Sequence, residues 1–372
     1  MPINNQQQKL DIHYMGRALR LAKKGQGRVS PNPLVGAVIV KKGQIIGEGY
    51  HEKYGMAHAE INAINSAGQS LKEATLFSTL EPCCHTNKQT PPCVERIIKE
   101  GVKRVVIASY DPNPQVDGKG MKILQEAGVD VTSGVLEQEY QEINKFYFKY
   151  IKTGLPYVAI KLAQTLDGYI SNDKNQQLWL SGERSKRLVH HWRSIYDSVL
   201  IGANTLRVDN PLLTVRYGKK RNPIRIVIAG LSSIDPKFKI FRQQHGNNTW
   251  IITSRKGYPE MLKQLRHTGC KVIALAANSD QQISFRSILE YLGKQKVTSV
   301  LVEGGQLIVS QLIQSKLWDE LNLFVTPLVL GEGFKSFSSD IMNQKTKFYL
   351  HRSKKIGEDV LLTYLPSALN HA

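Results

Sequence analysis

Cysteine is scarce, with four in 372 residues. Three of them, Cys83, Cys84 and Cys93, fall within eleven residues, and Cys270 stands far off. A secreted scaffold tied by disulfides would carry more cysteines in a shorter chain, so this cluster points to a metal or a reactive thiol. Long apolar runs are also missing. The best, such as 35–40, are strand-sized and fall short of the ~18–20 residues that span a bilayer. The opening MPINNQQQKLD has neither an apolar segment nor an Arg-rich amphipathic presequence, so the expectation is a cytoplasmic chain with no membrane partner. No periodic repeat suggests a solenoid. Acidic side chains are outnumbered, 31 against 50 Lys and Arg, for a net charge of +19.

With 41% hydrophobic residues the chain can build cores, and its length suits about two or three domains. The positive excess is uneven: residues 1–150 carry 19 basic and 15 acidic side chains, residues 151–372 carry 31 and 16. A field of that sign attracts phosphates. The longest basic stretch, Lys219-Lys220-Arg221 with Arg225 beyond it, is short and reads as a solvated loop, so no nucleic-acid partner is expected.

Residues 12–24 space apolar groups at helical intervals and stop at Gly25. SPNPLVG then feeds a strand, LVGAVIVK, with QIIGEGYH as its hairpin partner across Lys42-Gly43. Helix and strand patterns alternate through VDVTSG, and this argues for a layered α/β sheet. A charged, aromatic segment, EQEYQEINKFYFKYIKTGLP, is broken by Gly and Pro, and the domain boundary is placed there. The reading is a first domain at 1–152 and a second at 153–372. The second half alternates again, through YVAIKLAQ, SVLIGANT, NPIRIVIAG and SVLVEGG, without repeating the first.

His58-Ala-Glu60 opens a helix, and LEPCCH followed by TPPC comes about 25 residues later. Zinc favours nitrogen and sulfur ligands, and a catalytic zinc keeps one position open for water. One histidine and two thiolates make a neutral site, in which bound water loses a proton near neutral pH. Inside a helix, side chains two apart diverge by about 200°. His58 and Glu60 can therefore cooperate only in a first turn, with Glu60 as a proton shuttle rather than a ligand. Pro91-Pro92 places Cys93 at a helix start, which favours thiolate.

The pattern H-x-E, E-P-C, P-P-C resembles the zinc-dependent nucleoside and nucleotide deaminases. The nine residues between Cys83 and Cys93, with SPNPLVGAVIV upstream, look like the deaminase half of the bifunctional riboflavin-biosynthesis deaminase/reductases. Relatives usually have that spacing one residue shorter, with serine in place of Cys84. The assigned ligands are His58, Cys83 and Cys93, Cys84 being the competing choice for the second. His85 reads as facing substrate or supporting the ligands. The resemblance further implies Glu60 as the proton shuttle, Asn32 on the pyrimidine, and Lys88 near the substrate phosphate.

The resemblance covers nearly the whole chain. KLAQTLDGYI, LWLSGE, ANTLRVDNPLLTVR and VEGGQLI look like the reductase half. The implied architecture is an N-terminal cytidine-deaminase-like α/β/α sandwich and a C-terminal dihydrofolate-reductase-like α/β domain. A Gly-Gly turn into a helix suits a pyrophosphate, although it is not the Rossmann fingerprint. By resemblance Ala163, Trp179, Thr205, Asp209 and Gly305, Gln306, Leu307, Ile308, Val309, Ser310 and Gln311 contact NADPH. Lys161, Gln177, Arg193, Leu213, Arg216 and Glu303 hold substrate, the arginines suiting a sugar phosphate. Asp167 reads as a turn former.

The implied chemistry has two steps. One zinc per chain serves removal of an amino group from a diaminopyrimidinone carrying a phosphoribosylamino group. NADPH then reduces the ribose of the product to a ribityl chain. A homo-oligomer through the reductase half is expected. Two other readings remain open: a nucleic-acid base deaminase with a basic binding domain, and a structural zinc protein whose ion is closed by four ligands.

Overall fold

The computed structural model describes residues 5–85, 91–173, 178–217, 221–242, 248–279, 282–339, 342 and 345–367. The chain divides into two compact units, Met1–Gly154 and Leu155–Ala372. Among the described residues no helix is long and apolar enough to cross a membrane.

In the first unit the elements run α1 (Asn5–Ala22), β1 (Gly36–Lys41), β2 (Gln44–Tyr50), α2 (Ala59–Ser66), β3 (Thr75–Leu80) and α3 (Cys93–Lys99). They continue with β4 (Arg104–Ser109), α4 (Lys119–Glu126), β5 (Asp130–Thr132), α5 (Glu137–Ile143) and α6 (Lys145–Thr153). The sheet order is β2-β1-β3-β4-β5, antiparallel at β2-β1-β3 and parallel from β3 to β5.

Pleat and helices decide one another here. A Cβ on Gly36 would sit 2.1 Å from the Ala18 carbonyl oxygen, so α1 lies directly on the β1 backbone. Gly49, opposite Ala37 on the paired strand, gives the same close seat to α2 on the other face, 2.4 Å from the Ala59 oxygen. Successive side chains alternate across a strand, so α1 and α2 cover opposite faces. Ala37, Val38, Ile39, Val105, Val106 and Ile107 fill the layers between.

Helix α1 starts at Asn5, earlier than the apolar spacing suggests, because its first turns are polar and Gln7 hydrogen-bonds Asp11 at 3.0 Å. The segment after residue 136, which periodicity left without an element, folds as α5 and α6. Asn144 between them bonds the Leu34 backbone through both its amide oxygen and its amide nitrogen.

The second unit runs β6 (Tyr157–Gln164), β7 (Tyr169–Ser171), α7 (Glu183–Ile195), β8 (Ser198–Gly202), α8 (Ala203–Asp209) and β9 (Ile224–Gly230). Next come α9 (Lys239–Arg242), β10 (Thr249–Ser254), α10 (Tyr258–Leu265), β11 (Lys271–Leu275), α11 (Phe285–Lys294) and β12 (Ser299–Val302). It closes with α12 (Gln306–Gln314), β13 (Glu320–Val325), β14 (Phe334–Lys335), β15 (Phe348–Ile356) and β16 (Asp359–Pro366). Nine strands form one sheet, β11-β10-β9-β8-β12-β6-β13-β16-β15. The first seven are parallel and the last two form an antiparallel hairpin on β13. The central strands are apolar in near-continuous runs because both faces are covered. The β16 end is tied back by Asp359, whose carboxylate accepts from Gly182 N–H (2.9 Å) and Ser185 Oγ (2.5 Å) at the start of α7.

Candidate functional site

His58 is the residue before the first turn of α2, in extended backbone, and Glu60 is buried within that turn. This is the one place where the two can face a common point. Cys83 follows β3, and Cys93 is the first residue of α3 behind Pro92. Both sulfurs lie 3.4 Å from the same His58 Nδ1, and the Cys93 N–H points at Cys83 Sγ, also at 3.4 Å. One imidazole nitrogen has a single lone pair, so it cannot accept from both thiols. A cation shared by all three atoms accounts for the arrangement, since tetrahedral zinc sets N and S ligands about 3.5 Å apart. The ligand atoms lie within 4.8 Å of one another, and Cys84 and His85 are not in the group. Cys84 Sγ instead reaches the Gln115 carbonyl, 4.0 Å away.

Two supports were invisible in the motifs. His51 stands edge-on to His58 with ring centroids 5.5 Å apart. Its Nδ1 meets the Ala57 carbonyl and its Nε2 meets Asn32 Nδ2, each at 3.1 Å. Burial depresses its pKa, so the neutral ring donates to Ala57 and accepts from Asn32, which fixes the Asn32 amide beside the metal group. Glu81, buried, gathers four backbone N–H groups from a distant loop. They are Gly120 (2.9 Å) and Met121 (3.3 Å) on one oxygen, and Gly118 (2.9 Å) and Asp111 (3.3 Å) on the other. The ligand loop is thereby locked to the start of α4. Asp111 itself is pushed up to about 6 by burial, against hydrogen bonds from Asn113 N–H and the Tyr147 hydroxyl.

In the second unit a cleft of about 1530 Å³ opens at the carboxyl ends of β6, β8, β9 and β12, where α/β sheets bind ligands. Of the residues carried over for the cofactor, Ala163, Trp179, Thr205, Asp209, Gly305, Gln306, Leu307, Ile308 and Gln311 line it. Val309 and Ser310 do not. They are on the buried face of α12, Val309 in the core and Ser310 Oγ accepting from the Ser338 N–H at 2.8 Å. The Gly-Gly turn serves packing rather than an unusual backbone: a Cβ on Gly304 would lie 3.0 Å from Ile308, and one on Gly202 2.9 Å from it. The first turn of α12 is thus drawn tight over the strand ends.

Lys161, Arg193, Leu213 and Glu303 line the same cleft. Arg193 and Glu303 form a buried two-pronged pair at 2.6 and 2.7 Å. Burial alone would raise the Glu303 pKa, but the Arg193 charge and its hydrogen bonds outweigh that and hold it below the carboxylate range. Burial pulls Lys161 down, with Glu303 opposing, and pushes Asp209 up, with Lys161 opposing. Arg216 is exposed outside the lining and rests on His190. Asp167 is more than a turn former, because its carboxylate also receives the Leu330 and Gly331 N–H groups at 3.0 and 2.7 Å. Lys88, Gln177, Lys219 and Lys220 lie outside the described residues.

The chain was compared with known proteins. Residues 8–109 match the family described as the cytidine and deoxycytidylate deaminase zinc-binding region, and residues 156–362 match the RibD C-terminal domain. The riboflavin biosynthesis protein RibD of Bacillus amyloliquefaciens is 38% identical over 96% of both chains. Its counterpart in Escherichia coli K12 is 35% identical, over 95% of this chain and 98% of the relative. Among solved structures, RibD of Acinetobacter baumannii (form 1) superposes with a TM-score of 0.87 at 34% identity, covering 97% of this chain and 99% of the other. A Thermotoga maritima deaminase/reductase gives a TM-score of 0.86 at 36% identity, with 97% and 99% covered. A reductase family across the second half does not favour the nucleic-acid deaminase reading. The chain belongs to the RibD family of riboflavin biosynthesis, a zinc-dependent deaminase and an NADPH-using reductase in one polypeptide.

Proposed function

We propose that the first unit deaminates a diaminopyrimidinone carrying a phosphoribosylamino group, and that the second reduces the ribose of the product to a ribityl chain. The observation that carries this is the His58, Cys83 and Cys93 triad, with Glu60 buried in the first turn of the helix that His58 caps. Among the described residues three ligands come together, not four, and a three-ligand site leaves room for chemistry. His58, Cys83 and Cys93 would hold zinc, and Trp179, Thr205 and the first turn of α12 would hold the dinucleotide. When bound, zinc supplies a Lewis acid that makes water acidic near neutral pH, and NADPH supplies two electrons.

The side chains perform the rest. Glu60 takes a proton from water and delivers it to the ring and the departing ammonia, its carboxyl fixed in the first turn of α2. Asn32, held by His51, orients the pyrimidine. In the second unit Arg193, braced by Glu303, and Arg216 bind the sugar phosphate. Lys161 remains a proposed substrate contact and Asp209 a proposed cofactor contact, and burial weakens the charged form of each. Lys88 and Gln177 remain proposed substrate contacts, and Val309 and Ser310 are withdrawn as cofactor contacts. Pairing of copies through the reductase unit belongs to the same proposal, supported by the nine-residue edge strand β15 and checked by ultracentrifugation.

The test is Glu60→Gln. Ammonia release should fall at least about a thousandfold, as removal of a central proton carrier does, while NADPH oxidation on pre-deaminated substrate stays at the wild-type rate. Loss of both activities in a folded chain would refute two separate sites.

A further inference from the structure

Helix α7 carries, one turn apart, two side chains that grip residues 213–216. Arg193 Nη1 donates to the Thr214 carbonyl at 3.3 Å. His190, buried, meets the same stretch with both ring nitrogens. The Arg216 backbone N–H is 3.2 Å from Nδ1, and Arg216 Nε–H donates to Nε2 at 3.3 Å. The ring also bonds the Thr214 carbonyl. A neutral imidazole has one N–H and one lone pair. Two donors of Arg216 aim at the ring and the single lone pair serves only one of them; placed on Nε2, it takes the guanidinium. Imidazolium would turn an N–H against Arg216. Burial, then the charges of Arg193 and Arg216, press His190 down to about 4, so the neutral ring is the one present at pH 7.

Tyr217 covers this contact, its ring edge-on to His190 at 5.0 Å, its hydroxyl on Glu183 and Arg187 stacked over it at 5.2 Å. The segment is also bent at its root, where Leu213 has φ 53°, a conformation a leucine keeps only under outside constraint. Among the described residues Arg193 and Arg221 pair with Glu303 and Asp197, whereas no carboxylate pairs with Arg216. Its charge is held by an imidazole and left to an outside anion.

We propose that His190 is a positioning residue of the reductase site: it binds the Nε edge of Arg216, so that the two terminal amino groups take the substrate phosphate as a fork. A guanidinium recognises phosphate best through two parallel donors, and this requires its plane to be set beforehand. The inference rests on the reading of Arg216 as a phosphate ligand and adds how that ligand is oriented.

The experiment uses the full chain with His190→Gln, His190→Leu, Arg216→Ala and the His190→Leu/Arg216→Ala double variant. Glutamine keeps one acceptor and one donor; leucine keeps bulk only. Reductase kcat and KM are measured on the deaminated pyrimidine with and without its phosphate, and unchanged NADPH affinity reports a folded unit. His190→Leu should raise KM for the phosphorylated substrate roughly tenfold, with kcat within about twofold, and glutamine should recover most of it. Substrate lacking phosphate should not respond, and the double variant should match Arg216→Ala alone. Equal effects on both substrates, full additivity, no rescue by glutamine, or lost NADPH affinity in both His190 variants would overturn the proposal. An Arg216 effect without a His190 effect defeats the proposal alone. An unchanged KM in Arg216→Ala removes the phosphate reading and the proposal with it.

Discussion

Glu81→Gln tests whether the metal loop is held from behind. The wild-type carboxylate accepts four N–H groups, two on each oxygen, at 2.9 to 3.3 Å. Glutamine replaces one oxygen with a donor, so one pair of N–H groups then faces another donor. A hydrogen bond to a charged group contributes about 1.5–3 kcal/mol net, so losing two costs about 3–6 kcal/mol. That is a large share of the ~5–15 kcal/mol that holds a domain folded. Cys83 sits two residues along the same loop, and the cost should appear in metal retention as well. Urea unfolding of the deaminase unit should shift by several kcal/mol, and zinc should pass to a chromophoric chelator at least about tenfold faster. Reductase turnover in the same chain serves as the internal reference. A variant that loses less than about 1 kcal/mol and gives up zinc at the wild-type rate would refute the reasoning.

Glu303→Gln leaves the buried Arg193 charge without its two-pronged partner, a change that costs about 3–5 kcal/mol where it occurs in interiors. Reductase activity should disappear while ammonia release persists, as paired assays on one preparation would show. His190 supplies a pH dependence. Its folded pKa, about 4, lies below the unfolded value of 6.5, so the unfolded chain binds the extra proton between them. That stability is complete above 6.5, declines as pH falls from 6.5 to 4, and is flat below. The urea midpoint of the reductase unit should therefore fall less steeply over that window in His190→Gln than in the wild type.

What could be read from the sequence was local. His58 and Glu60 share one helical turn, Cys83 and Cys93 close one loop, and the strand runs in both units are apolar by burial on two faces. Such features need only neighbours a few residues away. Glu81 was visible as part of E-P-C, but its partners are 30 to 40 residues downstream, and no spacing rule links a carboxylate to loose backbone N–H groups. His190 lay inside an ordinary helix pattern, and only the return of residues 214–216 onto α7 gives it work. Val309 and Ser310 stand off the cleft for the opposite reason: a contiguous run was carried over, although a helix presents only part of any run to one cleft. The polar opening of α1, the charged α5 and the aromatic α6 escaped because apolar periodicity is silent where a helix is polar on nearly every side or rich in aromatics.

The carboxylate that fastens the last hairpin to α7 also sets a timetable. Asp359 follows Gly182 by 177 residues. At ribosomal speeds of roughly 5–20 residues per second, about 9–35 s pass between the emergence of a helix and of its anchor. The three sulfur and nitrogen ligands, by contrast, are all synthesised by residue 93. During elongation the nascent polypeptide can acquire its first activity well before the second one exists, and the waiting half is the one exposed to chaperones and proteases.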